Sequence, residues 1–183
     1  MKISNRYSYE ILCEDVQTRF FIYNVLKRQG IENHKIRIDM APQGTICGSQ
    51  YVAQKYPDKV KAFLGKNFKN IVLLVCIDAD NFSIEERVRF IESGAQNISY
   101  DRKKEQIIIW VPKRQIENWI YFWSKGTNEE TDYRHNGKPQ KCKDEANMMS
   151  DYLSSKIEKE DVLTSIIHAK KEFERVCFLQ KGY

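Results

Sequence analysis

An uninterrupted apolar run at residues 71–77 (Ile-Val-Leu-Leu-Val-Cys-Ile) is the feature that most limits what this chain can fold into. A strand with one face in water alternates apolar and polar residues, and this run does not alternate. A short continuous run rich in β-branched residues is typical of a strand buried on both faces of a parallel sheet. The acidic segment Asp78-Ala79-Asp80-Asn81 follows directly. We therefore predict an α/β protein whose most buried strand ends in carboxylates.

Three further stretches have the composition of strands, and they alternate with segments of helical periodicity. Gly30 marks a helix end, and Ser83-Ile84-Glu85-Glu86 has the pattern of a capping box at a helix start. The predicted order β-α-β-α-β-α-β-α implies a mostly parallel, Rossmann-like sheet of four strands with helices on its faces. The predicted strands are 8–13, 35–40, 71–77 and 106–111, and the predicted helices are 16–29, 49–56, a short piece from Pro57, 84–93 and 115–123.

The length of 183 residues fits one domain with a small C-terminal appendage. We predict an α/β domain over 1–123, a polar loop over 124–147 and a C-terminal helical extension over 148–183, with helix from about residue 144. Large aromatic side chains in helix 115–123 are predicted to be core rather than a surface for stacking bases. They are Trp119, Tyr121, Phe122 and Trp123.

Carboxylates follow two of the predicted strands. Glu14-Asp15 closes the first strand, and Asp78 and Asp80 follow the third. Ligands bind at the carboxyl ends of strands in open α/β sheets, so these acids are expected to share one edge. Mg²⁺ is usually held by one or two carboxylates together with water and substrate phosphates. The alternative is that the acids are turn residues and helix caps, with Asp15 capping the helix that begins at residue 16.

The turn after the fourth strand brings basic side chains toward the same edge. Lys113 and Arg114 lie between that strand and the next helix, where they could clamp a phosphate, and Glu117 could add a further acid. The alternative is a basic surface turn in which Glu117 favours the helix dipole. Arg102, Lys103 and Lys104 form another basic cluster, which is either a solvated loop or part of a nucleic-acid surface.

Composition excludes several classes of protein. The net charge of +5 suits an acidic partner such as nucleic acid without requiring one. The five cysteines include no C-x-x-C pair, and no Walker or G-x-G-x-x-G motif is present. The apolar runs are too short to span a membrane, which takes about 20 residues, and residues 1–6 do not resemble a signal peptide. We expect a cytoplasmic protein with no membrane partner.

The acids and their positions resemble a Toprim domain over roughly residues 8–123. That family has a Glu at the end of its first strand and a D-x-D after its third, matched here by Glu14 and by Asp78 and Asp80. The small residue that usually follows the Glu is replaced by Asp15. Within the family the chain is similar to small OLD-family and RloB-like nucleases, some of which carry an acid and an aromatic where this chain has Glu117-Asn118-Trp119.

The resemblance implies a Mg²⁺-dependent (or Mn²⁺-dependent) endonuclease that hydrolyses phosphodiester bonds, with DNA the expected polymer. Asp78 and Asp80 would hold one or two metal ions, and Glu14 would be a further metal ligand or a general acid/base. Lys113 and Glu117 would complete the catalytic set. Lys113, Arg114 and the 102–104 cluster would bind nucleic acid. The resemblance also implies a partner ATPase of the ABC or AAA type in anti-phage defence. A homo-oligomer through helix 115–123 or the C-terminal helix is a further expectation.

Other functions compete with this interpretation. A non-catalytic subunit could retain the fold in order to bind nucleic acid or an ATPase, and the imperfect first motif favours it. A nucleotide-sugar transferase also uses a D-x-D after a strand, but Glu14 and the lack of a larger acceptor domain argue against it. An aspartyl phosphatase would have its D-x-D after the first strand.

Overall fold

The computed structural model describes residues 6–44, 47–65, 70–127 and 141–180. Its centre is a four-stranded sheet in the order β2-β1-β3-β4, and every neighbouring pair of strands is parallel. This confirms the predicted α/β class and the mostly parallel sheet. The strands are β1 (Ser8–Cys13), β2 (Ile36–Met40), β3 (Ile71–Cys76) and β4 (Ile107–Trp110).

Helices cover both faces of the sheet. They are α1 (Val16–Arg28), α2 (Gly48–Leu64), α3 (Ile84–Gly94), α4 (Ile116–Lys125), α5 (Lys143–Leu153) and α6 (Thr164–Leu179), with 3₁₀ turns at Asn33–Lys35 and Arg102–Lys104. None of the helices in the described ranges is both long enough and apolar enough to cross a membrane.

Alternate side chains of each central strand enter two separate cores. From β3, Val72 and Leu74 join the core beneath α1, α4, α5 and α6. Leu73 and Val75 join the core beneath α2 and α3. All four are buried, which explains why the sequence of this strand is apolar without alternation.

Helix α2 differs from the prediction of two short helices separated at Pro57. The helix runs unbroken from Gly48 to Leu64, with Pro57 in its interior. Proline cannot donate to the carbonyl four residues earlier, which belongs to Ala53. Gly94 of α3 packs at this point: a Cβ built on it would lie 3.4 Å from Cγ of Pro57 and 3.8 Å from the Ala53 carbonyl oxygen. Packing against α3 therefore keeps the helix continuous where the sequence alone favours a break.

The C-terminal helices belong to the same core as the sheet. Helix α5 begins at Lys143, inside the range predicted as loop, and α4 extends to Lys125; residues 128–140 of that predicted loop lie outside the described residues. Trp119, Phe122 and Trp123 are buried, which confirms the core prediction for three of the four aromatics, whereas Tyr121 is half-buried. These faces of α4, α5 and α6 are thus used for packing within the chain.

Helix α6 closes the outer edge of β4. Arg175 donates hydrogen bonds to the carbonyl oxygens of Ile107 and, at 2.8 Å, of Glu105. Glu172 accepts a hydrogen bond from the backbone N–H of Ile109 at 3.4 Å. Its carboxylate also pairs with Arg175 at 3.1 Å and with Arg102 at 2.5 Å. Backbone groups that would otherwise be left unpaired at a sheet edge are therefore satisfied by side chains of one helix.

Candidate metal centre

The two central strands of the sheet are β1 and β3, and the connections that follow them lead to opposite faces. After β1 the chain enters α1 on one face, and after β3 it enters α3 on the opposite face. This divergence opens a crevice at the carboxyl ends of adjacent strands, where open α/β sheets bind ligands. Glu14 follows β1 directly, and Asp78 comes two residues after β3. The fold thus brings these two predicted site residues together.

Glu14 and Asp78 are in direct contact. The backbone N–H of Asp78 donates a hydrogen bond of 2.6 Å to the Glu14 carboxylate. Gly48, the first residue of α2, lies against the same side chain: a Cβ built on it would approach Cβ of Glu14 to 2.8 Å and Oε2 to 2.9 Å. A larger residue at position 48 would displace Glu14. The positive end of the α2 dipole also lies beside this carboxylate, which favours its ionised form.

The acid pair is electrostatically strained. Burial raises the pKa of Glu14 to about 7, and the negative charges of Asp80 and Asp15 add to the rise. Burial also raises the pKa of Asp78 well above its ordinary value, and repulsion from Glu14 is the next cause. Within the described part of the chain, no basic side chain forms an ion pair with Glu14 or Asp78. Both groups would be stabilised in their charged form by a cation.

Asp15 has the structural role that was the alternative to metal binding. Its Oδ1 accepts a hydrogen bond of 2.7 Å from the backbone N–H of Thr18, and it is the N-cap of α1. An Asp in this position satisfies a helix N–H that has no partner within the helix. Asp15 is exposed, so its charge acts on the site from the rim rather than from within it.

Asp80 lies at the same edge but pairs with a residue that sequence reasoning missed. Its Oδ2 is 2.6 Å from Nη2 of Arg87, and its backbone adopts a left-handed conformation with φ of 53°. Arg87 is buried, also donates to the Ala79 carbonyl at 3.1 Å, and lies over the ring of Phe82. The capping box at Ser83, which the structure confirms, could have revealed this, because it fixes where α3 begins and hence where Arg87 projects.

Lys113 and Arg114 tie the β4–α4 turn to the loop after β3. Nζ of Lys113 donates to the carbonyl of Phe82 at 2.9 Å, and Arg114 donates to the side chain of Asn81 at 2.5 Å. Glu117, in the first turn of α4, is half-buried; burial raises its pKa to about 7, helped by the charge of Asp15. Two cations and a further acid therefore lie at the same rim as Glu14 and Asp78.

The basic cluster at 102–104 is elsewhere. It precedes β4, so in a parallel sheet it lies at the amino edge, opposite the acids. Arg102 is mostly buried between Glu92, at 2.6 Å, and Glu172. Lys103 and Lys104 are exposed. The structure does not bring the three residues together with the acidic crevice.

The donor chemistry of the crevice fits Mg²⁺, although the site is not preformed. Glu14 and Asp78 offer carboxylate oxygens, the ligands that Mg²⁺ prefers, and two carboxylates are enough when water and phosphate complete the shell. Among the described residues, no group of three or more His, Cys, Asp or Glu side chains is arranged to hold a metal ion. Asp80 is directed to Arg87 instead. The two acids from adjacent strands are thus the part of the predicted ligand set that the fold has already assembled.

The raised pKa of Glu14 predicts how stability changes with pH. Its value moves from an ordinary 4.5 to about 7, so between these values the folded protein binds a proton that the unfolded chain has lost. This stabilisation is fully present below about pH 4.5 and is lost as the pH rises through about 7. We expect the free energy of unfolding of the metal-free protein, relative to Glu14→Gln, to fall by about 2–3 kcal/mol from pH 5 to pH 8. Urea denaturation of both proteins across this range measures it, and a constant difference would contradict the prediction.

No family model, no curated protein and no solved structure matches this chain. We therefore infer its function from the geometry of the crevice and from the chemistry of its side chains.

Proposed function

We propose that this chain is a Mg²⁺-dependent nuclease of the Toprim type that hydrolyses phosphodiester bonds, with DNA as the expected polymer. One observation carries the proposal: Glu14 and Asp78 meet at the ends of adjacent central strands, and no described basic side chain forms an ion pair with either. A buried pair of like charges is costly to fold, and such pairs are concentrated at functional sites.

Each residue at the rim has a role in this proposal. Glu14 and Asp78 would hold the metal, and Asp80 is the third ligand that the Toprim resemblance implies. A bound Mg²⁺ would activate the attacking water and stabilise the leaving oxygen. Lys113 and Arg114, at the mouth of the crevice, would bind the phosphate of the substrate and stabilise its charge.

Glu117 and Arg87 would act beside the metal ligands. With a pKa near 7, Glu117 is protonated in a substantial fraction of molecules at neutral pH, so it can accept or deliver a proton during the reaction. Arg87 holds Asp80 in the present arrangement. A Mg²⁺ ion that recruited Asp80 would have to compete with this ion pair. Arg87 therefore sets the free-energy cost of assembling the complete ligand set.

The resemblance extends the proposal to a biological setting. Small Toprim nucleases similar to the OLD and RloB-like groups often act beside an ABC- or AAA-type ATPase in anti-phage defence, and we propose the same for this chain. The net charge of +5 is compatible with a nucleic-acid substrate.

A non-catalytic subunit that binds nucleic acid or an ATPase is the second candidate. The Asp80–Arg87 ion pair favours it, because it occupies one of the carboxylates that a Toprim metal site would use. In that case the acid pair at Glu14 and Asp78 would be a remnant of an ancestral site, and Mg²⁺ would bind weakly or not at all.

Cleavage and metal binding, measured together, separate the two candidates. Purified protein is incubated with supercoiled plasmid and with a structured RNA in Mg²⁺, Mn²⁺ or EDTA, and Mg²⁺ binding is measured by calorimetry without nucleic acid. We expect metal-dependent nicking of the plasmid and a saturable Mg²⁺ isotherm that Glu14→Gln abolishes. Cleavage of the RNA alone would reassign the polymer.

The negative results are also informative. Mg²⁺ binding without cleavage would point to an enzyme that needs its ATPase partner, and the assay is then repeated with that protein added. An absence of cleavage together with an absence of Mg²⁺ binding, also when a non-cleavable oligonucleotide supplies phosphate to the metal shell, would exclude the nuclease and support the non-catalytic subunit.

A further inference from the structure

The two edge strands of the sheet, β4 and β2, differ in whether their outer backbone groups are covered. The β4 edge is covered by Arg175 and Glu172 of α6. At the other edge, none of the described residues forms a strand against the outer side of β2. An open edge presents backbone N–H and C=O groups that can pair with another chain, and proteins usually block such an edge or use it.

The orientation of β2 identifies which backbone groups face outward. The N–H of Ala41 donates to the Cys13 carbonyl of β1 at 3.3 Å, so Ala41 faces inward. Successive residues of a strand present their backbone groups to alternate sides. Arg37 and Asp39 therefore also face β1. The outward groups belong to Ile36, Ile38 and Met40.

The side chains of β2 are also divided between two faces. Ile36, Ile38 and Met40 are only partly buried beneath α1, where they line an open groove of about 560 Å³. Phe20 of α1 lines this groove too and is 42% exposed. Arg37 and the half-buried Asp39 project to the opposite face, where Asp39 pairs with Lys59 at 2.8 Å.

We propose that β2 pairs with β2 of a second copy of this chain, antiparallel about a twofold axis at Ile38, so that the two sheets become one. In this register Ile38 faces Ile38 of the second copy, and Ile36 faces Met40. These are the residues whose backbone groups point outward, so each pair can exchange two hydrogen bonds. Side-chain charge fits as well, because Arg37 lies directly opposite Asp39 of the second copy.

Charge excludes the neighbouring registers. An axis at Arg37 would place Arg37 opposite itself, and an axis at Asp39 would place Asp39 opposite itself. Like charges directly opposite on antiparallel strands are destabilising, whereas opposite charges stabilise. The axis at Ile38 also brings the two grooves side by side, so that the exposed Phe20 residues and the partly buried Ile36, Ile38 and Met40 become more buried, while Arg19 and Tyr23 form the polar part of each groove. The same five-residue strand is thus complementary to itself in backbone, charge and apolar surface.

Light scattering after size-exclusion chromatography tests the proposal with variants that reverse the charge at position 37 or 39 of β2. At tens of micromolar we expect wild type to be dimeric, and Arg37→Asp and Asp39→Arg each to be monomeric, with dissociation constants at least about tenfold higher. An equimolar mixture of the two variants should form a heterodimer, because each reversed charge then meets its opposite. Circular dichroism and thermal melting check that both variants fold. Lys103→Asp, an equal charge change on the exposed 3₁₀ turn before β4, is the control that should remain dimeric.

A monomeric wild type, or a dimer that persists in Arg37→Asp, would overturn the proposal. If either variant fails to fold, backbone amide exchange in wild type decides instead. The amides of Ile36, Ile38 and Met40 should exchange more slowly at high than at low protein concentration, while the amide of Ile22 in α1 should not change. Equal exchange of the three β2 amides at both concentrations would refute the interface.

Discussion

Asp78→Asn is expected to abolish metal-dependent cleavage while making the metal-free protein more stable. The substitution keeps the size of the side chain and removes the charge that Mg²⁺ would bind. Replacing a residue that merely orients a metal ligand typically costs 10–100-fold in activity or metal affinity, so loss of a ligand should cost at least about a hundredfold. A purely structural role for Asp78 would not produce this combination.

The gain in stability follows from the strained acid pair. Burial and the charge of Glu14 raise the pKa of Asp78, so its ionised form is disfavoured in the folded state. Removing that charge should raise the free energy of unfolding at pH 8 in EDTA, because the folded protein no longer has to bury an ionised carboxylate beside Glu14. The gain should shrink when Mg²⁺ is added, because the ion stabilises only the wild type.

Asp15→Asn is the matched control for this experiment. It removes a nearby negative charge by the same chemical change, and Asn is as good an N-cap as Asp, so α1 should keep its cap. We expect its cleavage rate to stay within a few-fold of wild type. Equal losses in Asp15→Asn and Asp78→Asn would show that the general charge of the rim matters, rather than a specific ligand.

Glu172→Gln is expected to cause the largest loss of stability. Glu172 is 9% exposed, and its carboxylate pairs with Arg102 and Arg175. Removing one partner of a buried ion pair leaves the other charge uncompensated and typically costs 3–5 kcal/mol. Because Arg102 keeps Glu92 and Arg175 keeps its carbonyl partners, we expect about 3 kcal/mol, or a Tm lowered by roughly 6–12 °C.

Glu174→Gln is the control, since it makes the same change two residues away on α6 at a half-buried position. It should change the free energy of unfolding by less than about 1 kcal/mol. Thermal and urea denaturation of the three proteins measure both effects. A loss below about 1 kcal/mol in Glu172→Gln would mean that Arg102 and Arg175 find other partners.

The sequence was sufficient for the sheet and for part of the site. Residues 71–77 predicted a doubly buried strand because every position is apolar, and Glu14 and Asp78 were predicted to converge because both follow strands of one parallel sheet. Such inferences succeed when the relevant spacing is local and the geometry of a parallel sheet supplies the rest. The capping box at Ser83 is local in the same sense and was also predicted correctly.

Contacts that depend on the tertiary fold could not be predicted from local sequence patterns. The contact between Gly94 and Pro57 preserves α2, and Arg102 meets Glu172 across a sequence separation of 70 residues. The ion pair of Asp80 with Arg87 is closer in sequence, but it depends on a left-handed turn at Asp80 that residue type alone does not fix. Tertiary packing decides the first two contacts, and local patterns carry no signal for them. For the third, the capping box at Ser83 indicates where Arg87 projects from α3 but does not fix the turn that directs Asp80 toward it.

The cover that α6 places on β4 has a consequence for assembly. A sheet with two open edges can add copies at both ends, and edge-to-edge pairing then runs on into a fibre. Among the residues that the structure describes, β2 is the edge strand left open, so once two copies have joined there, both outer edges of the combined sheet are β4 edges capped by Arg175 and Glu172. The addition of further copies through sheet edges therefore stops at the dimer. The side chains that stabilise α6 against the sheet would therefore also protect the protein from polymerisation.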